Sequence, residues 1–349
     1  MKIAFTLCSN NYLAQAKSLG DSLKLKNPDY QFFIGLLDII STEIDYETEI
    51  GYPLILSNEI GIPYFDDLWK KYNIIEFNTC VKPFYFQYFI KKFKPIEYLF
   101  YLDPDTLVYN DLSIIESEFG DSAELLLTPH ILSPIPLDNK TPGENIFLNY
   151  GIFNLGFLGL KNPELSGHFL EWWKERTYHL GFDKTAEGLF VDQLWFNLVP
   201  IFFKNVKISK HPGLNMAPWN LHERKLSGDE SILFMDQSFP LVFYHFSKYN
   251  LSDHDLISNK YNRYNFESNI DLKSIYQNYS DLLLRNGIQK ISTIPCHYMD
   301  LRKKHFEDES KAKLSSSNVP LIKRFLKKII LPAGIRIFTA IRLKFHHHI

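Results

Sequence analysis

The sequence predicts an α/β fold, a mixed sheet flanked by helices, with a basic amphipathic segment at its C-terminal end. Three observations predict it. The chain opens as apolar strand, amphipathic helix, apolar strand, an order that favours parallel pairing through a right-handed crossover. Further short apolar runs, YLFYL (98–102), ELLLTPH (124–130) and PLVFYHF (240–246), recur between helical patterns. Charge divides the chain: residues 310–349 hold nine Lys and Arg and no acid, which leaves 29 basic and 40 acidic residues in 1–309.

KIAFTLC (2–8) is the first strand. Leu13, Ala16, Leu19 and Leu23 recur at helical spacing, and Asn27-Pro28 closes that helix. QFFIGLLDII (31–40) is a second buried strand ending at Asp38. A short helix is expected near Phe65–Tyr72. Asn78-Thr79 reads as the N-cap of a helix through PFYFQYFIKKF, with Pro83 in its first turn. Residues 131–149, rich in Pro, Asn and Gly, form a long loop, and long loops in compact domains tend to be functional. GIFNLGFLGLK (151–161) reads as a strand, and ELSGHFLEWWKER and LFVDQLWFNLVPIFF as helices. NVKISK is a strand, and HPGLNMAPWNLHER a loop dense in polar and aromatic side chains. Past Asp308, ESKAKLSSSN reads as a linker. The expected organisation is one domain over 1–308, with linker and tail over 309–349.

Apolar residues make up 45% of the chain and aromatics 15%, ample for a core. The three cysteines, Cys8, Cys80 and Cys296, are far apart and form neither a disulfide framework nor a CxxC metal site. A reduced, cytoplasmic setting is expected. The first apolar run is too short for a signal peptide. No run reaches the roughly 20 apolar residues of a membrane span. CSNNYLAQ, after the first strand, lacks the glycines of dinucleotide or Walker-type phosphate loops.

The stretch YLFYLDPDTLVY poses the chemical question. A buried apolar strand stops at Asp103 and Asp105, with Pro104 between them. In open α/β sheets, ligands bind beyond the carboxyl ends of the strands. Two carboxylates there can converge on one hard cation that a diphosphate shares. A surface Asp-Pro-Asp turn is the plainer alternative. His245 ends another apolar strand and supplies a third candidate ligand, a set that suits Mn²⁺ or Mg²⁺.

YLDPDTLVY resembles the DxD segment of GT-A glycosyltransferases, the Rossmann-like nucleotide-diphospho-sugar transferases, and in particular family 8. HFSK (245–248) is similar to that family's His-x-Gly-x-x-Lys segment, FNLGFLGL to its Asn-Ala-Gly strand, and VDQLWFN to its Asp-Gln-Asp-x-x-Asn segment. The pieces occur in family order over roughly residues 1–265. Leu194 replaces the second Asp, and Leu155 stands in Asn-Leu-Gly, so the chain looks like a divergent relative. The resemblance implies metal ligation by Asp103, Asp105 and His245. It assigns Asp192 to donor sugar hydroxyls and Gln193 to the face of the anomeric carbon. It places the nucleotide against Thr6, Ser9, Asn11 and Tyr12, with Asp38, Lys82, Asp103, Asn154 and Lys248 around the donor. Trp219, Asn220 and Arg224 suit carbohydrate by chemistry and equally suit a packed corner. The implied reaction moves a sugar from a nucleotide diphosphate, UDP by family, to a saccharide or glycolipid acceptor, with retention.

Two rivals remain open. A nucleotidylyltransferase shares the metal chemistry but wants a Gly-rich basic loop after strand one. A catalytically silent carbohydrate-binding or scaffold protein needs no intact triad. In the tail, Leu321, Ile322, Phe325, Leu326, Ile329 and Ile330 interleave with Lys323, Arg324, Lys327 and Lys328. That pattern, over 319–345, suits an anionic membrane surface, on the inner face of the cytoplasmic membrane, better than nucleic acid; a helix docked on the chain's own acidic body is the alternative.

Overall fold

The computed structural model describes residues 1–228, 233–235, 238–253 and 255–316. The tail at 319–345, with its expected amphipathic helix, lies outside the described residues. The chain divides into two compact units, Met1–Leu301 and Arg302–Ile349. The described part of the second is helical to Ser316, carrying Lys313–Glu309 and Lys311–Asp308 ion pairs. The expected linker after Asp308 is corrected there: residues 309–316 continue α10 (His297–Ser316), in which such i,i+3 and i,i+4 pairs support the turn. Among the described residues, no helix is long and apolar enough to cross a membrane.

The first unit is built on a seven-stranded sheet in the order β10-β6-β7-β4-β1-β2-β3. The strands are β1 (Lys2–Cys8), β2 (Tyr30–Leu36), β3 (Leu54–Leu56), β4 (Tyr98–Leu102), β6 (Leu125–Leu127), β7 (Phe157–Lys161) and β10 (Val206–Ile208). β7 runs antiparallel to β4 and β6; the other pairs are parallel. The mixed sheet flanked by helices is the fold class expected. β5 (Thr106–Val108) leaves this sheet and pairs antiparallel with β14 (Phe243–His245). β8 (Asp183–Lys184) pairs with β9 (Leu189–Phe190), and β11 (Leu226–Gly228), β12 (Leu233–Met235) and β13 (Phe239–Pro240) form a small antiparallel sheet.

Alternation along the strands fills two apolar layers. Ala4 and Phe100 pack with Leu13, Leu19 and Leu23 of α1 (Leu13–Lys26) on one face, together with α8 (Lys273–Arg285) and α9 (Ile288–Ile291). Ile3, Phe5, Leu99 and Tyr101 face the other way. There Phe5 meets Phe86 and Phe89 of α3 (Ile74–Lys92) at 4.9 and 4.8 Å between ring centroids. Trp173 of α6 (Gly167–Leu180) closes that layer against Phe86.

Several boundaries differ from expectation. Helix α3 begins at Asn73, not at Asn78-Thr79. Asn73 accepts from Ile75 and Glu76 N–H while Glu76 accepts from Asn73 N–H, a capping box that satisfies the terminal donors. Pro83 therefore lies inside the helix, where it removes a ladder bond. α2 spans Phe65–Lys71, as expected. The loop at 131–149 contains the start of α5 (Glu144–Tyr150). β7 begins at Phe157, because Asn154 is held in a polar turn. LFVDQLWFNLVPIFF is not one helix: it breaks at Val191 (φ 40) into β9, a 3₁₀ turn over Leu194–Leu198, and α7 (Val199–Phe202). Its apolar residues satisfy packing rather than helical period, Phe196 lying 5.1 Å from Trp173. α4 (Ser113–Glu118) completes the α-helices among the described residues.

Candidate active site

β1 pairs with β2 on one side and β4 on the other, so the chain reverses direction across the sheet at the carboxyl ends of β1 and β4. Crevices at such points are where open α/β sheets bind ligands. Asp103 and Asp105 occupy the turn from β4 into β5. The antiparallel register then sets Thr106 opposite His245. That pairing puts the His245 Nε2 atom 3.0 Å from Asp105 Oδ1 and 3.8 Å from Asp103 Oδ2. Backbone bonds hold the frame: Phe246 N–H donates to Asp105 O at 2.8 Å, and Asp103 N–H to Gly156 O at 2.7 Å. One donor atom from each of the three side chains lies within 4.8 Å of the others. Two carboxylate oxygens and an imidazole nitrogen form a donor set that fits Mn²⁺ or Mg²⁺. The Tyr101 hydroxyl donates to Asp103 Oδ1 at 2.5 Å, an outer bond that orients the carboxylate.

Glycine at 156 is a geometric requirement. A Cβ there would lie 2.6 Å from His245 Cε1 and 2.7 Å from Asn154 Oδ1. Burial opposes charge on His245, but Asp105, and then Asp103, outweigh it and raise its pKa. Burial likewise works against the Asp105 charge, and His245 more than offsets it, holding the carboxyl below its ordinary value.

Behind the triad lies a second charged group. Lys82, 4% exposed, places its Nζ 3.1 Å from Asp192 Oδ2 and donates to Leu155 O at 3.0 Å. It sits 4.6 Å from the centre of the Tyr101 ring and 3.9 Å from Asp103 Oδ1. Burial raises the Asp192 pKa, and Lys82 opposes that rise without cancelling it.

Gln193 is locked by its neighbours. Its Nε2 donates to Tyr150 O at 2.8 Å, and its Oε1 accepts from Leu155 N–H at 3.2 Å. Asn154 Oδ1 accepts from Gly156 N–H and Asn215 Nδ2, both at 3.0 Å, which fixes the amide orientation. Its Nδ2 then donates to His130 Nε2 at 3.2 Å. Burial pushes the His130 pKa down to about 3, so the ring is neutral and carries its proton on Nδ1. His130 stacks on Phe147 and meets the edge of Trp219, which in turn meets His245 at 5.1 Å.

The triad opens on a cavity of about 310 Å³. Of the residues expected at a site, Tyr12, Asp103, Asp105, Asn154, Gln193, His245 and Lys248 line it, with Trp219. Others stand behind its wall or elsewhere. Thr6 and Ser9 are buried, and Asn11 is half-buried. Asp38 is fully buried and accepts from the N–H groups of Asn10, Ile39 and His297. Lys82 and Asp192 are bound to each other. Asn220 is fully buried, bonded to His130 O, Asn215 O and Ala217 N–H. Arg224 donates to Pro212 O and Leu214 O. These last two organise the HPGLNMAPWNLHER loop, which is the packed-corner alternative. The cavity also draws on residues that sequence reasoning missed: Gln15, His130, Tyr150, Phe190, Lys260 and Tyr261. His130 and Tyr150 bracket the long loop, the one signal that pointed to them.

No family model matches the chain. It is similar to two proteins of Bacillus subtilis (strain 168), both described as uncharacterized. YfnF is 28% identical over 251 residues, 70% of this chain and 81% of that protein. YfnD is 27% identical over 230 residues, 62% of this chain and 67% of that protein. Among solved structures it is similar to the glycosyltransferase GlyE of Streptococcus pneumoniae TIGR4, at 17% identity and a TM-score of 0.44, covering 85% of this chain and 65% of that one. It is also similar to the galactosyltransferase LgtC, solved with donor and acceptor sugar analogues, at 15% identity and a TM-score of 0.45, covering 84% and 98%.

Proposed function

We propose that the protein is a glycosyltransferase that moves a sugar from a nucleotide-diphosphate donor, UDP-linked by motif resemblance, to an acceptor hydroxyl. The single observation that carries this reading is the convergence of Asp103, Asp105 and His245 from separate elements at the mouth of one cavity. A divalent cation held by these three would bridge the donor diphosphate to the protein and offset charge on the leaving group. Lys248, in the left-handed region at φ 59 and lining the same cavity, presents an ammonium group to the leaving phosphate. Tyr12, exposed where β1 leads into α1, offers a ring face to the base. Gln193 is a neutral amide held on both sides, so it positions and does not attack. The acceptor oxygen then forms the new bond from the leaving-group face, and the departing phosphate takes its proton, with retention. Asp192 acts through Lys82 to position Asp103 rather than by touching the donor.

Calorimetry with UDP, with and without Mn²⁺, tests the reading. Metal-dependent binding supports it; binding indifferent to metal, or none, refutes it. A screen of nucleotide sugars for Mn²⁺-dependent release of nucleoside diphosphate then identifies the donor. We further propose that the tail attaches the protein to anionic membranes, near a lipid-linked acceptor. Removing residues 314–349 should then abolish sedimentation with phosphatidylserine vesicles, and unchanged sedimentation refutes that placement.

A further inference from the structure

Lys260 is the residue in the cavity wall that the donor chemistry leaves unused. Its Nζ lies 5.1 Å from the centre of the Tyr150 ring and 5.5 Å from that of Tyr261. Tyr150 packs edge-to-face on Phe190 at 4.6 Å, and its carbonyl holds the Gln193 amide. Lys260 therefore stands with Gln193, on a wall of aromatic faces, in the cavity that Asp103 and Asp105 enter.

The placement is built, not incidental. Asn259 N–H donates to Lys248 O at 3.2 Å, which closes the loop between the two lysines. On the other side, Asn262 Oδ1 accepts from Thr141 N–H at 2.7 Å. Arg263 forks onto Asp138 with two bonds of 2.7 Å. These bonds tie the segment carrying Lys260 to the long loop over 131–149.

Among the described residues, no carboxylate lies within 4.0 Å of the Lys260 amine, although Asp183 acts on it through space. Partial desolvation of the amine, and then the Lys248 charge, lower its pKa, although the residue as a whole is exposed. An ammonium group has three donors and no acceptor. Resting near ring faces, it gains a cation–π attraction, and because the residue is exposed its donors are hydrated and can exchange water for an anionic ligand.

We propose that the acceptor carries an anionic group, a carboxylate or a phosphate, which Lys260 binds while Tyr150, Tyr261 and Phe190 pack against the saccharide. This rests on the transferase reading above. It divides the two lysines: Lys248 serves the donor diphosphate and Lys260 the acceptor's charge.

The test uses the full chain saturated with UDP and Mn²⁺, so that the diphosphate position is filled. Methyl glucuronide, glucose 6-phosphate and methyl glucoside are titrated and followed by ligand-observed NMR. One or both anionic sugars should bind about 10-fold more tightly than the neutral one, as a charge-assisted bond requires; which of the two wins separates carboxylate from phosphate. Lys260→Ala should erase the preference and Lys260→Arg should keep it, both with UDP affinity within about two-fold of wild type. Equal binding of the three sugars, binding of none, or a preference that survives Lys260→Ala overturns the proposal. So does a large loss of UDP affinity in Lys260→Ala, which would give this lysine to the donor. Absent UDP–Mn²⁺ binding in the wild type sinks the transferase reading itself, whereas intact UDP binding without an anion preference sinks only this one.

Discussion

Two clusters of carboxylates sit close together and meet opposite fates. Asp192 lies behind the cavity wall with Lys82 at 3.1 Å, and both side chains are almost wholly buried. Asp103 and Asp105 face the cavity with about a quarter of each side chain exposed, and their partner is an imidazole. The first pair is matched within the protein, charge to charge, and lies outside the cavity lining. The second keeps two partly exposed carboxylates beside one imidazole at the cavity, an arrangement open to an added cation. Motif resemblance drew the line elsewhere: it gave Asp103 and Asp105 to the metal and Asp192 to the donor sugar, and did not foresee that Asp192 is held by Lys82. The distinction lives in burial and in where the nearest ammonium group points.

The largest expected effect tests the buried side of that contrast. Lys82→Ala leaves Asp192 unpaired in an apolar surround, which costs about 3–5 kcal/mol of stability. Urea unfolding at pH 7 measures it, and Lys82→Met combined with Asp192→Leu should recover most of the loss. A loss under about 1 kcal/mol, with UDP binding abolished, would move this pair into the ligand site. The open side is tested by Asp103→Asn, Asp105→Asn and His245→Ala. Each should lower Mn²⁺-dependent UDP affinity by about 100-fold or more, since even outer partners of metal ligands cost about 10–100-fold. Asp105→Asn and His245→Ala should also lower the unfolding midpoint modestly without metal, since each removes one partner of the His245–Asp105 pair, but the loss should be smaller than that of Lys82→Ala.

How far the sequence carried this can be argued from single residues. The strands were readable because buried runs such as YLFYL are unambiguous at their length. Asp103, Asp105 and His245 stood out as candidates because each lies at the end of an apolar strand, but a plain turn was equally open to a local reading, and only the β5–β14 pairing brings the three together. Helix α3 was misplaced by a turn because Asn73 and Asn78 are the same cap residue to a local reading. Only the reach of Glu76 back to Asn73 tells them apart. The segment around Asp192 failed for a tertiary reason: its apolar residues serve Trp173 and its acid serves Lys82, so neither follows a helical period. Lys260 was invisible, since nothing in SNKYNRY says that Asn262 and Arg263 anchor it to a loop about 120 residues earlier.

A subtler effect comes from the space between the clusters. Gly156→Ala adds one methyl group where 2.6 Å separates its position from the His245 ring. The ring has to yield, so metal-dependent UDP affinity should fall by about 10–100-fold, as for other disturbances that misorient a ligand. Overpacking should cost about 1–3 kcal/mol. If affinity holds while stability falls, His245 is not a ligand and the open cluster has lost its third member.

The smallest effect applies the same contrast to two histidines. His245 has acids beside it and a raised pKa; His130 has none and is pushed down to about 3. For His245, the stabilising contribution is complete below its unfolded pKa and is lost as pH rises through the folded value. For His130 the sign reverses. The unfolded chain takes up a proton near pH 6.5 that the folded state refuses, so stability falls as pH drops from about 6.5 toward 3. The slope from this residue is about 1.4 kcal/mol per pH unit within that window. His130→Gln removes it, so the gap in unfolding free energy between variant and wild type should narrow by about 1–2 kcal/mol between pH 7 and pH 5, without added metal. His211, also held below its ordinary value by burial, shifts both proteins alike and cancels in the difference. A gap that stays constant over that range would mean His130 takes its proton in the folded state, and the neutral Nδ1–H ring described above would be wrong.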